Sequence, residues 1–299
     1  MNNPQVSVLM SVYNSEKFLC EAIGSILKQS FADFEFIIIN DGSTDSTQQI
    51  IESYPDERIV ILNNAQNLGL AESLNRGIRE AQGEYIARMD ADDISLPERL
   101  EKQVAFMKMH SEVGLCGTWI KYFGEENLVL EFPPDDATIR CKLLFENNIA
   151  HPSVIMRKDL LLKHELLYNP AYTNAQDYEL WRRCSQYLSF ANLSEVLLLY
   201  RLHPEQAGKS NFAAQQKLTG LVRLEELKSL GINVTPEELA LHEAITWYQF
   251  QDSEAFLEKV QQWLIKIKMA NSKSNYYPEP QFSNIVDNKW LEISNICEG

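Results

Sequence analysis

The chain has 299 residues, enough for one large α/β domain with an appendage or for two domains of ordinary size. With 45% hydrophobic and 23% charged residues it lies outside the disordered classes. A net charge of -15 and a pI near 4.8 exclude a general nucleic-acid binder, which needs a basic surface to displace counterions, and disfavour broad adhesion to anionic lipid.

In chain order, Val6 to Val12 is a short β-branched apolar run, and Phe18 to Leu27 shows apolar residues at helical spacing, which predicts strand, loop and helix. Phe34 to Ile39 reads as a second strand, stopped by Asn40-Asp41-Gly42-Ser43, with Ser43 or Asp45 as a cap for a helix through Ile51. Arg58 to Leu62 is a third strand, followed by an Asn-rich loop and a helix from Leu70 to Ala81. Glu84 to Met89 is a fourth strand that runs straight into Asp90-Ala91-Asp92-Asp93. Strands that are apolar on both faces and alternate with helices predict a mostly parallel α/β sheet covered on two sides.

Beyond this half, a helix is predicted from Pro97 to His110 and a strand from Val113 to Tyr122. Thr138 to Glu146 reads as a helix, His151 to Arg157 as a strand, Ala175 to Tyr187 as a helix and Val196 to Arg201 as the last strand. After Ser210 the composition turns to Gln, Glu, Leu and Lys, with aromatics at Trp247, Tyr248, Phe250, Phe256 and Trp263, which predicts a helical extension over 211–299. The expected division is therefore 1–210, split at 117 into a nucleotide-binding half and an acceptor half over 118–210, and 211–299. Cys20, Cys116, Cys141, Cys184 and Cys297 form no Cys-x-x-Cys pair and no zinc-ligand spacing, so a reducing cytoplasm is expected. Neither a basic segment leading a long apolar one nor an apolar run of about 18 residues occurs, so no signal peptide or membrane span is predicted.

In open α/β sheets, ligands sit beyond the carboxyl ends of the strands, where Tyr13, Asp41 and the Asp90 to Asp93 cluster all fall. Carboxylates crowded into four positions repel one another, and a divalent cation would neutralise them. Mg2+ or Mn2+ is held by one or two carboxylates, with phosphate oxygens completing the shell, so the cluster reads as a diphosphate site or, taken alone, as a solvated acidic turn. Asp41 taken alone is plain turn chemistry. Ser11-Val12-Tyr13-Asn14 offers a ring for stacking and polar groups for hydrogen bonds, as a pyrimidine base requires; a Tyr after a strand also simply packs.

Taken together, Val6 to Asn14, Phe34 to Asp45 and Gly83 to Asp93 closely resemble the family 2 glycosyltransferases with a GT-A fold, a Rossmann-like nucleotide-binding α/β architecture flanked by helices. The resemblance is dense to Gly117 and thinner to His203. It implies inverting sugar transfer from a nucleoside diphosphate sugar, most often a UDP-sugar, to a hydroxyl of a saccharide or lipid-linked acceptor, as in surface polysaccharide or lipopolysaccharide assembly. Carried over, Tyr13 stacks on the base with Ser11 beside it, Asp41 accepts from the ring N–H, Asp90 lies near the ribose, and Asp92 is the principal ligand of Mn2+ or Mg2+. The family's base matches Asp177 in Gln176-Asp177-Tyr178-Glu179-Leu180-Trp181, with Gln176 where many members carry Glu.

An inverting transfer needs a carboxylate opposite the leaving group to take the acceptor's proton, and Asp177 suits that role as well as that of a helix N-cap. His203 resembles a position that touches diphosphate or metal in some relatives, and imidazole suits Mn2+ better than Mg2+. Arg88 and Arg201 are diphosphate candidates, though Arg88 can equally pair with a neighbouring carboxylate, and His151-Pro152 resembles an acceptor-side element. Phe256 to Met269, with Lys259, Lys266 and Lys268, reads either as a helix packed on its own domain or as an interfacial helix giving peripheral attachment to the inner membrane face; its mixed charges favour the former. A sugar-nucleotide pyrophosphorylase would need a Gly-rich basic loop at Ser11 to Lys17, which is not there, and survival of Asp92 and Asp177 argues against a non-catalytic binder.

Overall fold

A computed structural model describes residues 3–204, 212–249 and 253–298. The boundary expected at 210/211 and the aromatic Phe250 lie outside the described residues. The chain forms two compact units, one from the residues up to Pro134 with the described part of Ile149–Phe212, the other from Asp135–Asn148 with the described residues from Ala213 onward.

The first unit is built on β1 (Val6–Val12), β2 (Phe34–Asn40), β3 (Ile59–Asn63) and β4 (Tyr85–Arg88), alternating with α1 (Leu19–Leu27), α2 (Thr47–Glu52) and α3 (Leu70–Glu80). β1 pairs in parallel with β2 and β4, and β2 with β3. Val12 stands level with Asn40 and Leu9 with Arg88, so all three central strands end at one edge of the sheet. Their side chains are buried on both faces, which explains why each reads as a continuous apolar run rather than an alternating one.

Past β4 the sheet becomes mixed. β5 (Ile94–Ser95), α4 (Arg99–Met109), β6 (Val113–Gly124), β7 (Val129–Leu130), β8 (Ile155–Arg157), α6 (Lys158–Lys163), α7 (Gln176–Cys184) and β9 (Ser189–Leu202) complete the unit, and the strand order is β3-β2-β1-β4-β8-β6-β9-β5, with β7 on β6. The parallel half predicted from the sequence stands, but β8 enters antiparallel between β4 and β6. The strand expected from His151 is shorter, because His151–Ser153 forms a 3-10 turn, with Pro152 removing an amide donor, before β8 begins. β9 is longer than predicted, runs parallel to β6 and pairs antiparallel with β5.

The second unit contains α5 (Asp136–Lys142), α8 (Phe212–Ser229) from Ala213 onward, α9 (Pro236–Trp247), α10 (Glu254–Ser274) and α11 (Gln281–Glu298). Its core joins Cys141, Leu144 and Phe145 to Leu227, Ile245, Trp263, Ile267, Phe282 and Ile293. Thr235 and Glu238 form a capping box at the start of α9. The apolar face of α10 is turned into this core through Val260, Trp263, Leu264 and Ile267, while Lys266 pairs with Glu238 and Lys268 with Asp287. Among the described residues no helix is long and apolar enough to cross a membrane.

Candidate active site

A cleft of about 300 Å3 opens at the carboxyl edge of the sheet, with Ser11, Tyr13, Lys17, Asp90, Asp92 and His203 in its walls. Two loops shape one side of it. Asn14 takes a left-handed backbone (φ 47°), which Asn tolerates better than most residues; its Oδ1 accepts from Thr44 N (2.8 Å), and its own N–H donates to Ser43 Oγ (3.0 Å). Ser15 N donates to Thr47 Oγ1 at 2.8 Å, so the loop after β1 is stitched to the start of α2. The N-cap of that helix is Ser46 rather than Ser43 or Asp45, the two expected caps, though Asp45 Oδ1 accepts from Thr47 N at 3.0 Å. Gly42 is required where it stands: its φ is +73°, and an added Cβ would lie 2.7 Å from the Gln66 carbonyl carbon.

The carboxylate oxygens of Asp90, Asp92 and Asp93 come within 4.8 Å of one another. Asp90 forms an ion pair with Arg88. Asp93 is 1% exposed; its Oδ1 accepts from Arg201 N at 2.9 Å, while its buried Oδ2 meets no donor among the described residues. Burial pushes the Asp93 carboxyl well above the usual carboxylate range, and the charges of Asp90 and Asp92 push it further. Asp90 is also raised, by burial first and by Asp92 after it, with Arg88 pulling the other way. His203 Nε2 lies 3.0 Å from Asp92 Oδ2. Hard oxygen donors crowded at this distance, one of them buried without a partner, beside an imidazole, fit a divalent cation such as Mn2+ or Mg2+.

The structure therefore brings Ser11, Tyr13, Asp90, Asp92 and His203 to one cleft. Arg88, 2% exposed, is not among the residues that line the cleft; it pairs with Asp90, the neighbouring-carboxylate alternative open in the sequence. Its position two residues before Asp90 at the end of a strand puts both on one face, which is why they meet. Asp41 does not line the cleft either. It is 2% exposed, its Oδ1 accepts from Asn64 Nδ2 (2.7 Å) and Leu68 N (2.9 Å), and its Oδ2 accepts from Gly69 N (2.8 Å). It thus fastens the loop between β3 and α3. Arg76 Nη1 extends this network by donating to Asn64 Oδ1 at 2.6 Å.

Asp177 lies half-buried in the first turn of α7, whose N-cap is Ala175, so the cap role open in the sequence is not the one it takes. Its electrostatic reach is recorded by Tyr168. Burial pushes that hydroxyl's pKa up, Arg88 pulls it back, and Asp177 and Asp90 both add to the rise. Arg201, the other diphosphate candidate, spends its Nε on the Asp92 carbonyl. His151 is buried with Nε2 2.8 Å from the Tyr168 hydroxyl, and burial followed by the Arg88 charge holds its pKa well below the ordinary value. Left unread in the sequence are Lys17, which brings a cation into the cleft, the network of Asn64 and Arg76 around Asp41, and Tyr168, whose hydroxyl meets His151.

Residues 7–161 match the family model described as Glycosyl transferase family 2. The O-antigen biosynthesis glycosyltransferase WbnJ of Escherichia coli is 36% identical over 218 residues, which are 70% of this chain and 84% of that protein. Among solved structures, Staphylococcus aureus TarS 1-349 in complex with UDP-GlcNAc superposes with a TM-score of 0.65 at 19% identity, covering 98% of this chain and 90% of that one. Mannosyltransferase PcManGT from Pyrobaculum calidifontis, in complex with GDP-Man and Mn2+, has a TM-score of 0.62 at 14% identity, covering 99% and 88%. With the match spanning β1 to β8 and the acidic cluster, this chain belongs to glycosyl transferase family 2.

Proposed function

We propose that this glycosyltransferase moves a sugar from a nucleoside diphosphate sugar, most directly a UDP-sugar, to a hydroxyl of a saccharide or lipid-linked acceptor, with inversion at the transferred carbon. One observation carries the reading: an aromatic ring that is 48% exposed, Tyr13, shares a cleft with Asp90, Asp92 and His203. A base stacked on that ring can extend its diphosphate toward the carboxylates. The UDP-GlcNAc bound by TarS supports the donor class, and the role of WbnJ in O-antigen synthesis supports a surface-glycan acceptor. Cytoplasmic location, with peripheral attachment to the inner membrane face, accords with that acceptor.

In this reading Tyr13 stacks on the base and Ser11 borders it. Asp41 holds the neighbouring loop, and because an ionised carboxylate offers about four acceptor positions, of which the loop takes three, one remains for a ring N–H. Asp90, oriented by Arg88, faces the ribose. Asp92 and His203 would hold Mn2+ or Mg2+, with Asp93 behind them; when bound, the ion neutralises the charge that grows on the departing diphosphate. Asp177 takes the proton of the acceptor hydroxyl as its oxygen bonds to the anomeric carbon and the bond to the diphosphate breaks. The loop after β1 carries no glycine between Ser11 and Lys17, so nothing favours the pyrophosphorylase reading.

The test is a thermal-shift measurement with UDP, with and without Mn2+, on the unaltered chain and on Asp92→Asn. Ligand at one hundred times its dissociation constant stabilises the native state by about 2.7 kcal/mol. UDP should raise the melting temperature only when Mn2+ is present, and the Asp92→Asn chain should not respond. A metal-independent shift of equal size in both would remove the acidic cluster from donor binding.

A further inference from the structure

Arg201 was a candidate for direct contact with the diphosphate, but its surroundings give it a different task. Its Nε donates to the carbonyl of Asp92 at 2.7 Å, and its own backbone N–H donates to Asp93 Oδ1 at 2.9 Å. Nη2 donates to Glu21 Oε2 on α1 at 2.9 Å. The guanidinium carbon lies 4.4 Å from the ring centroid of Phe18 and 4.4 Å from that of Phe123 at the end of β6. One side chain therefore ties the acidic loop to α1, to the loop after β1 and to β6. We infer that Arg201 is a positioning residue that restrains the Asp90 to Asp93 loop in its ligating shape before any cation arrives, acting through the Asp92 backbone rather than on the substrate.

The need for such a restraint follows from the charges. Carboxylates whose oxygens lie within 4.8 Å repel one another when ionised, and with no cation present that repulsion, relieved by Arg88 only at Asp90, favours opening of the loop. A fixed guanidinium at the Asp92 carbonyl opposes the opening electrostatically and by hydrogen bonding. Lysine cannot replace it, because a single ammonium on a flexible stem does not reach a carbonyl and a carboxylate at once while lying over two rings. The strand carrying Arg201 does not depend on that side chain: β9 is held by its ladder to β6 and by the pairing of Leu199 with Ile94. Loss of the guanidinium should therefore be felt in the acidic loop and not along the strand.

The cation part of this inference rests on the proposed metal site, and the experiment separates the two. Hydrogen exchange is followed in metal-free full-length protein for peptides covering residues 89–95 and, as an internal standard, for those covering β6 and β9. Mn2+ affinity is measured by calorimetry on the same samples, using the unaltered chain, Arg201→Lys, Arg201→Gln and Glu21→Gln. Exchange in 89–95 should quicken in both Arg201 variants while β6 and β9 are unchanged, and Mn2+ affinity should fall by about ten-fold, the lower end of losses from outer-shell partners. Glu21→Gln should give a smaller change in the same direction. Unchanged exchange in 89–95, full rescue by lysine, or faster exchange spread along β9 would each overturn the inference. If the unaltered chain takes up no Mn2+ yet the loop quickens in the Arg201 variants, the restraint stands and the metal reading fails.

Discussion

Replacing Asp41 with Asn tests how the turn after β2 serves the site. The substitution keeps the shape of the side chain but turns one acceptor oxygen into the NH2 donor of a carboxamide. If the retained oxygen keeps Asn64 Nδ2 and Leu68 N, the amide NH2 faces the Gly69 N–H, donor against donor, where Oδ2 now accepts at 2.8 Å, and the Gly69 N–H is left with Asn67 Oδ1 at 3.0 Å. Bonds to a charged group contribute about 1.5–3 kcal/mol and neutral ones about 0.5–1.5, so roughly 1 kcal/mol is lost at each of the two surviving bonds, while the Gly69 N–H, which keeps Asn67 Oδ1 as an acceptor, avoids the cost of an unpaired donor. With Gly69 half-buried and its N–H still paired, the loop over residues 64–69 should be destabilised by about 2 kcal/mol. At 1.36 kcal/mol per factor of ten, amide exchange at Leu68 and Gly69 should quicken by about thirty-fold in ligand-free protein. β2 itself, paired on both sides, should not change. Asn64→Ala should give part of the same effect and be non-additive with Asp41→Asn, since the two share one bond. Unchanged exchange at Leu68 and Gly69, together with weakened UDP binding, would refute the loop-fastening role and leave Asp41 as a ligand contact alone.

Asp177→Asn should lower kcat by about 10²- to 10⁴-fold, the usual contribution of a general base, while Mn2+-dependent UDP binding is kept; transfer at the unaltered rate would remove Asp177 as the base. In the second unit, His242 donates from Nε2 to the Leu144 carbonyl (2.9 Å) and accepts at Nδ1 from Trp263 Nε1 (3.3 Å), a pattern that only the neutral ring satisfies, and burial lowers its pKa from 6.5 to about 4. The unfolded chain then binds the extra proton between those values, so stability should fall as pH drops from about 6.5 to 4, by about 3 kcal/mol at 1.36 kcal/mol per unit, and be unaffected by this group above pH 7. His242→Gln, which keeps a donor and an acceptor without titrating there, should flatten that part of the guanidinium-unfolding profile relative to the unaltered chain; parallel profiles would show that His242 does not set the slope.

What could be read from the sequence divides along a physical line. β1, β2 and β4 were legible because strands buried on both faces must be apolar without interruption, and the acidic cluster was legible because carboxylates so close together in sequence are close in space whatever the fold. The pairing of Arg88 with Asp90 was within reach too, since residues two apart at a strand end share a face. The direction of β8 was not: Ile155–Arg157 has the same apolar look in either orientation, and only its partners on β4 and β6 decide. His203 and Asp92 lie 111 residues apart and meet because Leu199 registers with Ile94, a pairing that leaves no local trace. The same holds for Asp41. Its neighbours spell a turn, and the turn is real, yet the residues that engage its carboxylate stand 23 to 28 positions further on. Local chemistry thus marked which groups could act at the site, whereas the hydrogen bonds that hold those groups in place are long-range and had to await the fold.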